Sequence, residues 1–304
     1  MKALVTGSGG FCGRHLCGFL KSQGLDVFAL SSTRGGEGVF RIKDTDDEDG
    51  MTEALIQVQP DFIFHLAGLS TCDDPWEIYR VNVGFASRLF RAMDRAGVKQ
   101  VPTLAAGSCA EYGEVDPTSL PVIEDHACRP MSDYAISKFA QSRLAVAACR
   151  RGYRVVVTRS SNILGPGIPQ TLFLGSVVKQ LARMAEGEQA SVLEVGNLET
   201  SRDFIDVKDA VRCYWKLINQ PAAFGEIVNV SSANAIQIRG LLDRVIELSG
   251  KEVSVVTRAE KMKMHDTPRF CASNDKLCSL IGEAPVFSAE ETLRRLLKYE
   301  LGRS

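Results

Sequence analysis

The chain has 304 residues, a formal net charge of −1 and an apolar fraction of 45%. The near-neutral charge argues against a nucleic-acid or anionic-membrane partner, and the apolar fraction is ordinary for a globular protein with a full core. No apolar run reaches the ~18 residues that a membrane span requires, and a strand at the very start leaves no room for a signal peptide. Nine scattered cysteines without a C-x-x-C pair predict reduced thiols, no metal and a cytoplasmic location.

The first thirteen residues carry the strongest local pattern of the chain. Lys2 to Thr6 is apolar and β-branched, which predicts a buried strand, and Arg14 to Gln23 is predicted to be a helix. Between them Gly7, Gly10 and Gly13 follow one another at a spacing of three residues. In a dinucleotide-binding unit such glycines permit a tight turn, close approach of the pyrophosphate and close packing of helix on strand. The alternative is a purely structural turn.

The end of the second predicted strand, Asp26 to Leu30, indicates which dinucleotide is bound. An Asp or Glu at this distance from the glycines would bind the ribose 2′-hydroxyl of NAD, whereas an arginine accommodates the phosphate of NADP. Here Ser31, Ser32 and Arg34 occupy the position, and no acid appears before Glu37. The sequence therefore favours NADP(H), with NAD(H) possible; a solvated loop is the alternative interpretation.

Two further strand ends are predicted to face the same ligand. Asp44 follows a third strand, Val39 to Ile42, and could accept a hydrogen bond from the adenine amino group. A helix over Met51 to Gln59 precedes a fourth strand, Asp61 to Leu66, which ends in small residues that let a cofactor lie across it. His65 in this strand is expected to be a packed, hydrogen-bonded core histidine.

The middle of the chain is predicted to bring a hydroxyl group to the next strand end. A long helix is expected from Pro75 to about Gly97, followed by a strand near Val101 to Ala106 that runs into Ser108 and Cys109. The three prolines between Gly113 and Met131 predict a long loop over the sheet, and loops of this length are usually functional.

Tyr134 and Lys138 are four residues apart on the following helix, which is predicted to start near Ser132, so both side chains project from one face. A lysine ammonium stabilises a neighbouring phenolate and lowers the pKa of the phenol. Such a phenol can give a proton to a nascent alkoxide near neutral pH, and a hydroxyl at the end of the fifth strand would hold the same oxygen. Tyrosine and lysine also reach this spacing by chance on exposed helices, so the pair depends on its context.

Strands and helices alternate throughout the first half, which predicts an α/β fold with a Rossmann-type doubly wound parallel sheet. Beyond Asn162 the alternation loosens, and no linker separates a second unit. We therefore expect a smaller C-terminal α/β substrate domain built from interleaved segments. The predicted division assigns residues 1–162 plus about 203–230 to dinucleotide binding and about 163–202 plus 231–304 to a nucleotide sugar.

The later elements are predicted as a strand at Arg154 to Arg159, a helix at Phe173 to Ala185, strands at Ser191 to Val195 and Arg202 to Ile205, a helix at Val207 to Asn219 capped by Asp206, a strand at Glu226 to Val230, a helix at Arg239 to Ser249, a strand at Glu252 to Val256 and a helix at Glu290 to Leu301.

Taken together, the glycine turn, HLAG, Asn82, GSCAEYG, the Tyr134 and Lys138 pair, and Asn162 with GPG resemble the extended short-chain dehydrogenase/reductase family. These motifs follow that family's order over nearly the whole length. The resemblance implies a nicotinamide cofactor and a nucleotide-activated sugar as substrate. The cofactor-binding residues that it implies are Gly7, Gly10, Phe11, Cys12, Gly13, Ser31, Ser32, Arg34, Asp44, Leu66, Ala67, Gly68, Asn82, Tyr134 and Lys138.

Within that family, the segments at 129–138 and 196–215 are similar to those of enzymes that reduce GDP-linked 4-keto-6-deoxy sugars. This similarity implies a GDP-linked substrate whose diphosphate contacts Arg202 and Asn162. The implied substrate-binding residues are Ser108, Glu111, Asn162, Lys179, Arg202, Lys263 and Asp266. Two departures from the family pattern stand out. Cys109 replaces a hydroxyl residue, so either Ser108 or Cys109 orients the carbonyl. Lys263 and Asp266 replace an arginine and a glutamate, so the motif supports guanine as the nucleotide base less strongly.

The expected reaction is the NADPH-dependent reduction of a C4 ketone, GDP-4-keto-6-deoxy-D-mannose to GDP-D-rhamnose, with Tyr134 as proton donor. The first rival is a 4,6-dehydratase or 4-epimerase that retains its cofactor, supported by Glu111 in the place of a dehydratase base. A second rival is a non-catalytic NADP-binding regulator. The resemblance also implies a homodimer through a four-helix bundle. The apolar residues expected to form it are Phe85, Leu89 and Phe90 on one helix and Phe139, Leu144 and Val146 on the other.

Overall fold

The structure is a computed structural model and describes residues 1–187, 190–261 and 267–302. Lys263 and Asp266, two of the predicted substrate-binding residues, lie outside the described residues.

Within the described residues the chain forms twelve strands and ten α-helices. The strands are β1 (Lys2–Thr6), β2 (Asp26–Ser31), β3 (Val39–Arg41), β4 (Phe62–His65), β5 (Thr103–Ser108), β6 (Val155–Ser160), β7 (Asn162–Leu164), β8 (Val192–Val195), β9 (Ser201–Asp206), β10 (Ile227–Val230), β11 (Ala235–Gln237) and β12 (Ser254–Thr257). The helices are α1 (Phe11–Ser22), α2 (Glu48–Val58), α3 (Pro75–Tyr79), α4 (Phe85–Arg95), α5 (Asp133–Cys149), α6 (Phe173–Ala185), α7 (Val207–Ile218), α8 (Ile238–Ser249), α9 (Asp275–Ile281) and α10 (Ala289–Leu301).

Seven of the described strands form one parallel sheet in the order β10-β6-β5-β4-β1-β2-β3. The chain starts in the middle of this sheet, winds outward to β3, and then returns to place β4 on the other side of β1. The order of the strands therefore reverses between β1 and β4, and ligands of such sheets bind in the crevice at the carboxyl ends of these strands. The predicted doubly wound Rossmann-type fold is confirmed.

Helices cover both faces of this sheet because each face carries its own apolar cluster. Leu16 and Leu20 of α1 and Leu217 of α7 are buried on one face. Leu55 of α2 and Leu89 of α4 are buried on the other. Full burial of such side chains contributes roughly 1.5–3 kcal/mol each to folding. The strand ends that carry the predicted site residues are thus held by packing on both sides.

A third apolar cluster lies under helices α6, α8 and α10, with Leu181, Leu242 and Leu296 at its centre. Its neighbours are a small sheet, β11-β9-β7, and a two-stranded pair, β12-β8. This part of the molecule uses segments from both sides of β10 in the sequence, as interleaving requires. The residue boundaries of the two predicted domains stay a prediction.

The helix predicted from Pro75 to Gly97 is interrupted in the structure. A π-helical turn, Arg80–Gly84, separates α3 from α4. The helical periodicity of the sequence does not reveal such an insertion, which changes the direction in which the side chains within it project. Helix α9 and strands β7 and β11 were not predicted either. Helix α6 has the predicted bounds, and Asp206 caps α7 by accepting a hydrogen bond from the backbone N–H of Lys208 at 2.8 Å.

Candidate active site

The glycine turn after β1 leaves no room for side chains. A Cβ atom on Gly7, whose φ is +71°, would lie 2.6 Å from the backbone nitrogen of Ala67, and one on Gly13 would lie 2.0 Å from the carbonyl oxygen of Gly7. The turn therefore packs directly on the end of β4 and on α1. Gly10 begins α1 without a side-chain cap, and Phe11 and Cys12 form its first turn. The backbone N–H groups at this helix start are open to a phosphate.

The end of β2 brings a guanidinium group to this turn. A Cβ on Gly9 would meet Arg34 Cζ at 2.5 Å, so the guanidinium lies against the turn itself. Ser31 Oγ accepts hydrogen bonds from the backbone N–H groups of Arg34 (3.0 Å) and Thr33 (3.3 Å), which shapes the loop. Ser32 beside it is half-buried. This arrangement suits a phosphorylated ribose, because a guanidinium can form two hydrogen bonds with a phosphate.

Asp44, the predicted adenine contact, is exposed beyond β3. Its carboxylate accepts a hydrogen bond from the backbone N–H of Asp46 at 2.7 Å. The adenine contact stays a prediction.

Strand β4 is joined to β1 by side chains as well as by the sheet. The hydroxyl of Thr6 forms a 2.8 Å hydrogen bond with His65 Nδ1 and accepts one from the backbone N–H of Ala67 at 3.2 Å. His65 is buried, and burial lowers the pKa of its imidazole to about 3, with a smaller effect of Lys138 in the same direction. The expectation of a packed, hydrogen-bonded histidine is confirmed. Leu66, Ala67 and Gly68 continue from it as the strand end.

Asn82, which lies in the π-helical turn, holds the segment after β4. Its Oδ1 accepts a hydrogen bond from the backbone N–H of Leu69 at 2.8 Å, and its Nδ2 donates to Leu69 O at 3.0 Å. The same Nδ2 donates to Ser137 Oγ at 2.8 Å. Asn82 is fully buried. Its described contacts therefore join the strand end to helix α5 rather than reaching outward to a ligand.

The predicted catalytic pair lies where β5 and α5 meet. The hydroxyl of Ser108 faces the phenol of Tyr134 and acts to lower the pKa of that phenol. Lys138 is buried, and a Cβ on Gly68 would lie 3.7 Å from its Nζ, so the ammonium reaches the end of β4. The structure thus brings Ser108, Tyr134 and Lys138 together at the crevice where the strand order reverses.

The expected lowering of the phenol pKa is wrong for this arrangement. Burial raises the pKa of Tyr134, although the hydrogen bond from Ser108 opposes the change. Burial also lowers the pKa of Lys138 to about 8, against the effect of the Glu111 charge. Lys138 Nζ donates to Gln141 Oε1 at 2.6 Å. Desolvation therefore has the largest effect on the pKa of Tyr134, and the phenol is held in its acid form.

Cys109 follows Ser108 but points away from Tyr134. Its thiol donates to the backbone oxygen of Arg159 at 3.3 Å and lies in a small buried cluster. Burial raises the pKa of this thiol well above its usual value, with Asp203 and Glu111 acting in the same direction. Of the two residues left open by the sequence, the geometry thus presents the hydroxyl of Ser108 and not the thiol.

Glu111 is fully buried beside the end of β5. Its Oε2 accepts from Arg159 Nε at 2.9 Å, and its Oε1 accepts from the backbone N–H of Ser108 and the hydroxyl of Ser142, each at 2.9 Å. Burial raises its pKa and the Arg159 charge opposes this. Both oxygens support the end of β5. The substrate contact expected for Glu111 stays a prediction.

A cavity of about 430 Å³ opens between β7, β9 and α6, and none of Ser108, Tyr134 and Lys138 lines it. Asn162 and Arg202 line it, as do Asn197 and Lys261. Asn162 Nδ2 donates to Asp203 O at 2.9 Å, and Arg202 donates to Ser201 O at 2.8 Å.

Lys179 is exposed and lines a second, adjacent cavity of about 460 Å³. Gln170, Ser176, Glu194 and Lys261 border both cavities. The structure therefore separates Lys179 from Asn162 and Arg202, although the two spaces adjoin.

Sequence reasoning missed three polar residues that support the site: Gln141, Ser142 and Arg159. Gln141 and Ser142 follow Lys138 by three and four residues, and this spacing on a helix was a usable signal. Arg159 carried no such signal. Its pairing with Glu111 depends on the register of two parallel strands, in which Ser108 lies opposite Ser160.

Residues 3–231 match the model of the NAD dependent epimerase/dehydratase family. The chain belongs to this family. GDP-6-deoxy-D-mannose reductase from Pseudomonas aeruginosa is 30% identical to this chain, and the match covers 97% of this chain and 96% of the relative. GDP-6-deoxy-D-talose 4-dehydrogenase from Aggregatibacter actinomycetemcomitans is 26% identical over 93% of this chain and 92% of its own length.

Solved structures of the epimerase/dehydratase family superpose closely on this chain. The structure of RMD from Pseudomonas aeruginosa complexed with NADPH gives a TM-score of 0.88 at 28% identity and covers 100% of this chain and 99% of that one. Thermus thermophilus UDP-glucose 4-epimerase complexed with NAD gives 0.85 at 26% identity and covers all of both chains. Relatives with NADPH and with NAD therefore share this fold.

Two negative findings apply to the part of the chain that the structure describes. No helix there is both long and apolar enough to cross a membrane. Nor do three or more His, Cys, Asp or Glu side chains of that part form a group that could hold a metal ion.

Proposed function

We propose that the protein is an NADPH-dependent reductase that converts the C4 ketone of a nucleotide-linked 4-keto-6-deoxy sugar to an alcohol. The proposed substrate is GDP-4-keto-6-deoxy-D-mannose and the product GDP-D-rhamnose. The similarity to GDP-6-deoxy-D-mannose reductase over nearly the full length of both chains supports this choice.

The observation that carries the proposal is the state of Tyr134. Burial raises the pKa of its phenol, which faces the hydroxyl of Ser108. A phenol in this state is a proton donor at neutral pH, which is what reduction of a ketone requires. Glu111 is the residue that a dehydratase would need as a base, and both of its oxygens are engaged by Ser108, Ser142 and Arg159.

The cofactor fits the residues that are present. The uncapped start of α1 would receive the pyrophosphate, Arg34 the 2′-phosphate, and Lys138 the nicotinamide ribose beside Gly68. The bound cofactor supplies the hydride that reduces C4. In the proposed reaction Tyr134 gives its proton to the C4 oxygen, the hydroxyl of Ser108 orients that oxygen, and Lys138 stabilises the resulting phenolate.

The cavity between β7, β9 and α6 supports a nucleotide diphosphate as the remainder of the substrate. We assign the diphosphate to Arg202 and Asn162, because a guanidinium and an amide both donate to phosphate oxygens. The adjoining cavity with Lys179 is assigned to the base and its ribose. The proposal of guanine as that base depends on the GDP-linked relatives.

The proposed assembly is a homodimer, and the proposed location is the cytoplasm. Burial corrects the expected interface residues: Phe85, Leu89 and Phe90 are buried in the chain's own core. On α5, Phe139, Leu144 and Val146 are half-buried, and Ile136 is 40% exposed. We therefore assign the contact to α5.

The nine cysteines are free thiols, which suits a reducing compartment and supports the proposed cytoplasmic location.

The test is turnover of a panel of GDP-, UDP- and dTDP-linked 4-keto-6-deoxy sugars with NADPH, followed by consumption of the cofactor. We expect the GDP-linked ketone to have the highest kcat/KM and Tyr134→Phe to abolish turnover. A dTDP- or UDP-linked ketone as the better substrate would overturn the choice of base but not of reaction. Failure to reduce every ketone would overturn the reductase.

A further inference from the structure

Lys138 and Gln141 form a buried pair on helix α5. Lys138 is 4% exposed and Gln141 is 1% exposed. The ammonium nitrogen of Lys138 donates to Gln141 Oε1 at 2.6 Å, three residues further along the same helix. The oxygen of Gln141 is therefore a partner that the fold itself supplies to the ammonium, from one turn below the site.

The other end of the same amide is left without a partner. Among the residues that the structure describes, none accepts a hydrogen bond from the buried Gln141 Nε2. A buried donor without an acceptor costs free energy, and leucine or methionine at this position would avoid that cost. Core packing alone therefore does not explain a glutamine here. The oxygen that it presents to Lys138 does.

We infer that Gln141 is a positioning residue that keeps Lys138 protonated and aimed at the end of β4. An amide oxygen binds an ammonium more strongly than a neutral amine, because a hydrogen bond to a charged donor is the stronger one. Burial works in the opposite direction by favouring the neutral amine. Gln141 thus offsets part of the burial of Lys138, and it acts through Lys138 without touching the substrate.

Other groups near Lys138 have separate partners and can be distinguished from Gln141. Glu111, from the turn after β5, is held by Arg159 of β6. His65 of β4 is neutral at physiological pH because its pKa is about 3. Tyr134, on the same helix as Lys138, is bound to Ser108. At the start of the helix, Asp133 is bound by Tyr79 of α3. None of these described bonds involves Gln141, so its replacement by leucine or methionine removes a hydrogen bond from Lys138 alone.

This inference rests on the proposed function, and its test uses two substitutions that act in opposite directions. Gln141→Leu removes the acceptor, so Lys138 should lose its proton at lower pH. Gln141→Glu replaces the amide with a carboxylate of the same length, so Lys138 should keep its proton to higher pH. Gln141→Met is a second apolar variant. The control is Thr52→Val on α2, which removes another buried helical hydrogen bond, the one from the Thr52 hydroxyl to Glu48 O at 2.7 Å.

The measurements are the pH dependence of NADPH-linked turnover and the ¹³Cε titration of Lys138 by NMR, assigned with Lys138→Arg. We expect the alkaline limb and the titration midpoint to move by about one pH unit, down in the Leu and Met variants and up in the Glu variant. Above the midpoint this downward shift is about a tenfold loss of turnover. Thr52→Val should leave both the alkaline limb and the titration midpoint unchanged.

Variants at position 141 that lose turnover equally at every pH, or that shift in one direction only, would overturn the inference. The NMR titration needs no substrate and decides the role of Gln141 even if no keto sugar is reduced. Absence of wild-type turnover with an intact titration would therefore count against the proposed function alone.

Discussion

Ser108 and Cys109 are neighbours at the end of β5, yet their side chains have different surroundings. Side chains alternate between the two sides of a strand, and this alternation continues into the turn, where Ser108 reaches Tyr134 and Cys109 reaches the backbone of Arg159. The sequence left these two residues as alternatives because composition does not tell which side of the strand end faces the crevice. The turn at 109–112 decides it.

Ser108→Ala should lower kcat for ketone reduction about a hundredfold, because it removes a donor to the developing oxyanion. Cys109→Ala is the matched control: it should leave kcat within about twofold and reduce the free energy of unfolding by about 1 kcal/mol. Steady-state kinetics and urea unfolding measure the two effects. A larger loss of kcat in the cysteine variant would assign the role to the thiol.

Arg34→Ala should weaken NADPH binding roughly 10- to 150-fold, the equivalent of about 1.5–3 kcal/mol for hydrogen bonds to a charged group. NADH lacks the phosphate, so its affinity should hardly change. Titration by cofactor fluorescence measures both. Arg91→Ala, which removes an exposed arginine paired with Glu48, is the control. Equal weakening of the two cofactors by Arg34→Ala would show that this arginine does not read the 2′-phosphate.

At the scale of elements, strand β4 carries a pH-dependent part of the stability through His65. Its folded pKa of about 3 lies below the ordinary value of 6.5, so below pH 6.5 the unfolded chain binds a proton that the folded chain does not. Stability is fully present above this value and is lost as the pH falls towards about 3. The slope is about 1.4 kcal/mol for each pH unit.

Urea unfolding at about pH 7 and about pH 5 should therefore show a smaller loss of stability in His65→Gln than in the wild type. The substitution also removes the ring that bonds Thr6, so the variant is expected to be less stable at both values. Only the difference in slope tests the protonation. Identical slopes in the two proteins would mean that His65 gains its proton in the folded state.

Local patterns predicted most elements, and the exceptions have physical reasons. The glycine turn, α6 and the cap at Asp206 depend on neighbouring residues, so they could be found from the sequence. The π-helical turn at 80–84 could not be found in this way, because it places Asn82 to form a hydrogen bond with Leu69, which lies outside the turn. The pairing of Glu111 with Arg159 likewise depends on how β5 and β6 align.

At the scale of the whole molecule, burial changes the prediction for the dimer. Leu89 and Phe90 have no surface left for a partner, so we expect the isologous contact to centre on the outer face of α5. Ile136→Arg should convert the dimer to a monomer in light scattering at micromolar concentration. Ile123→Arg, at an isoleucine that is 55% exposed on the loop between β5 and α5, is the control. A wild-type monomer would refute the dimer.

The central claim is that the protein oxidises one NADPH for each C4 ketone that it reduces. The measurement is incubation of GDP-4-keto-6-deoxy-D-mannose with NADPH deuterated at C4 of the nicotinamide on the transferred face. Mass spectrometry and NMR of the product then locate the label. We predict one deuterium at C4 of the sugar and one NADP released for each product molecule. An unlabelled sugar, together with conversion of GDP-mannose to a 4-keto product without added NADPH, would contradict the account and identify a dehydratase.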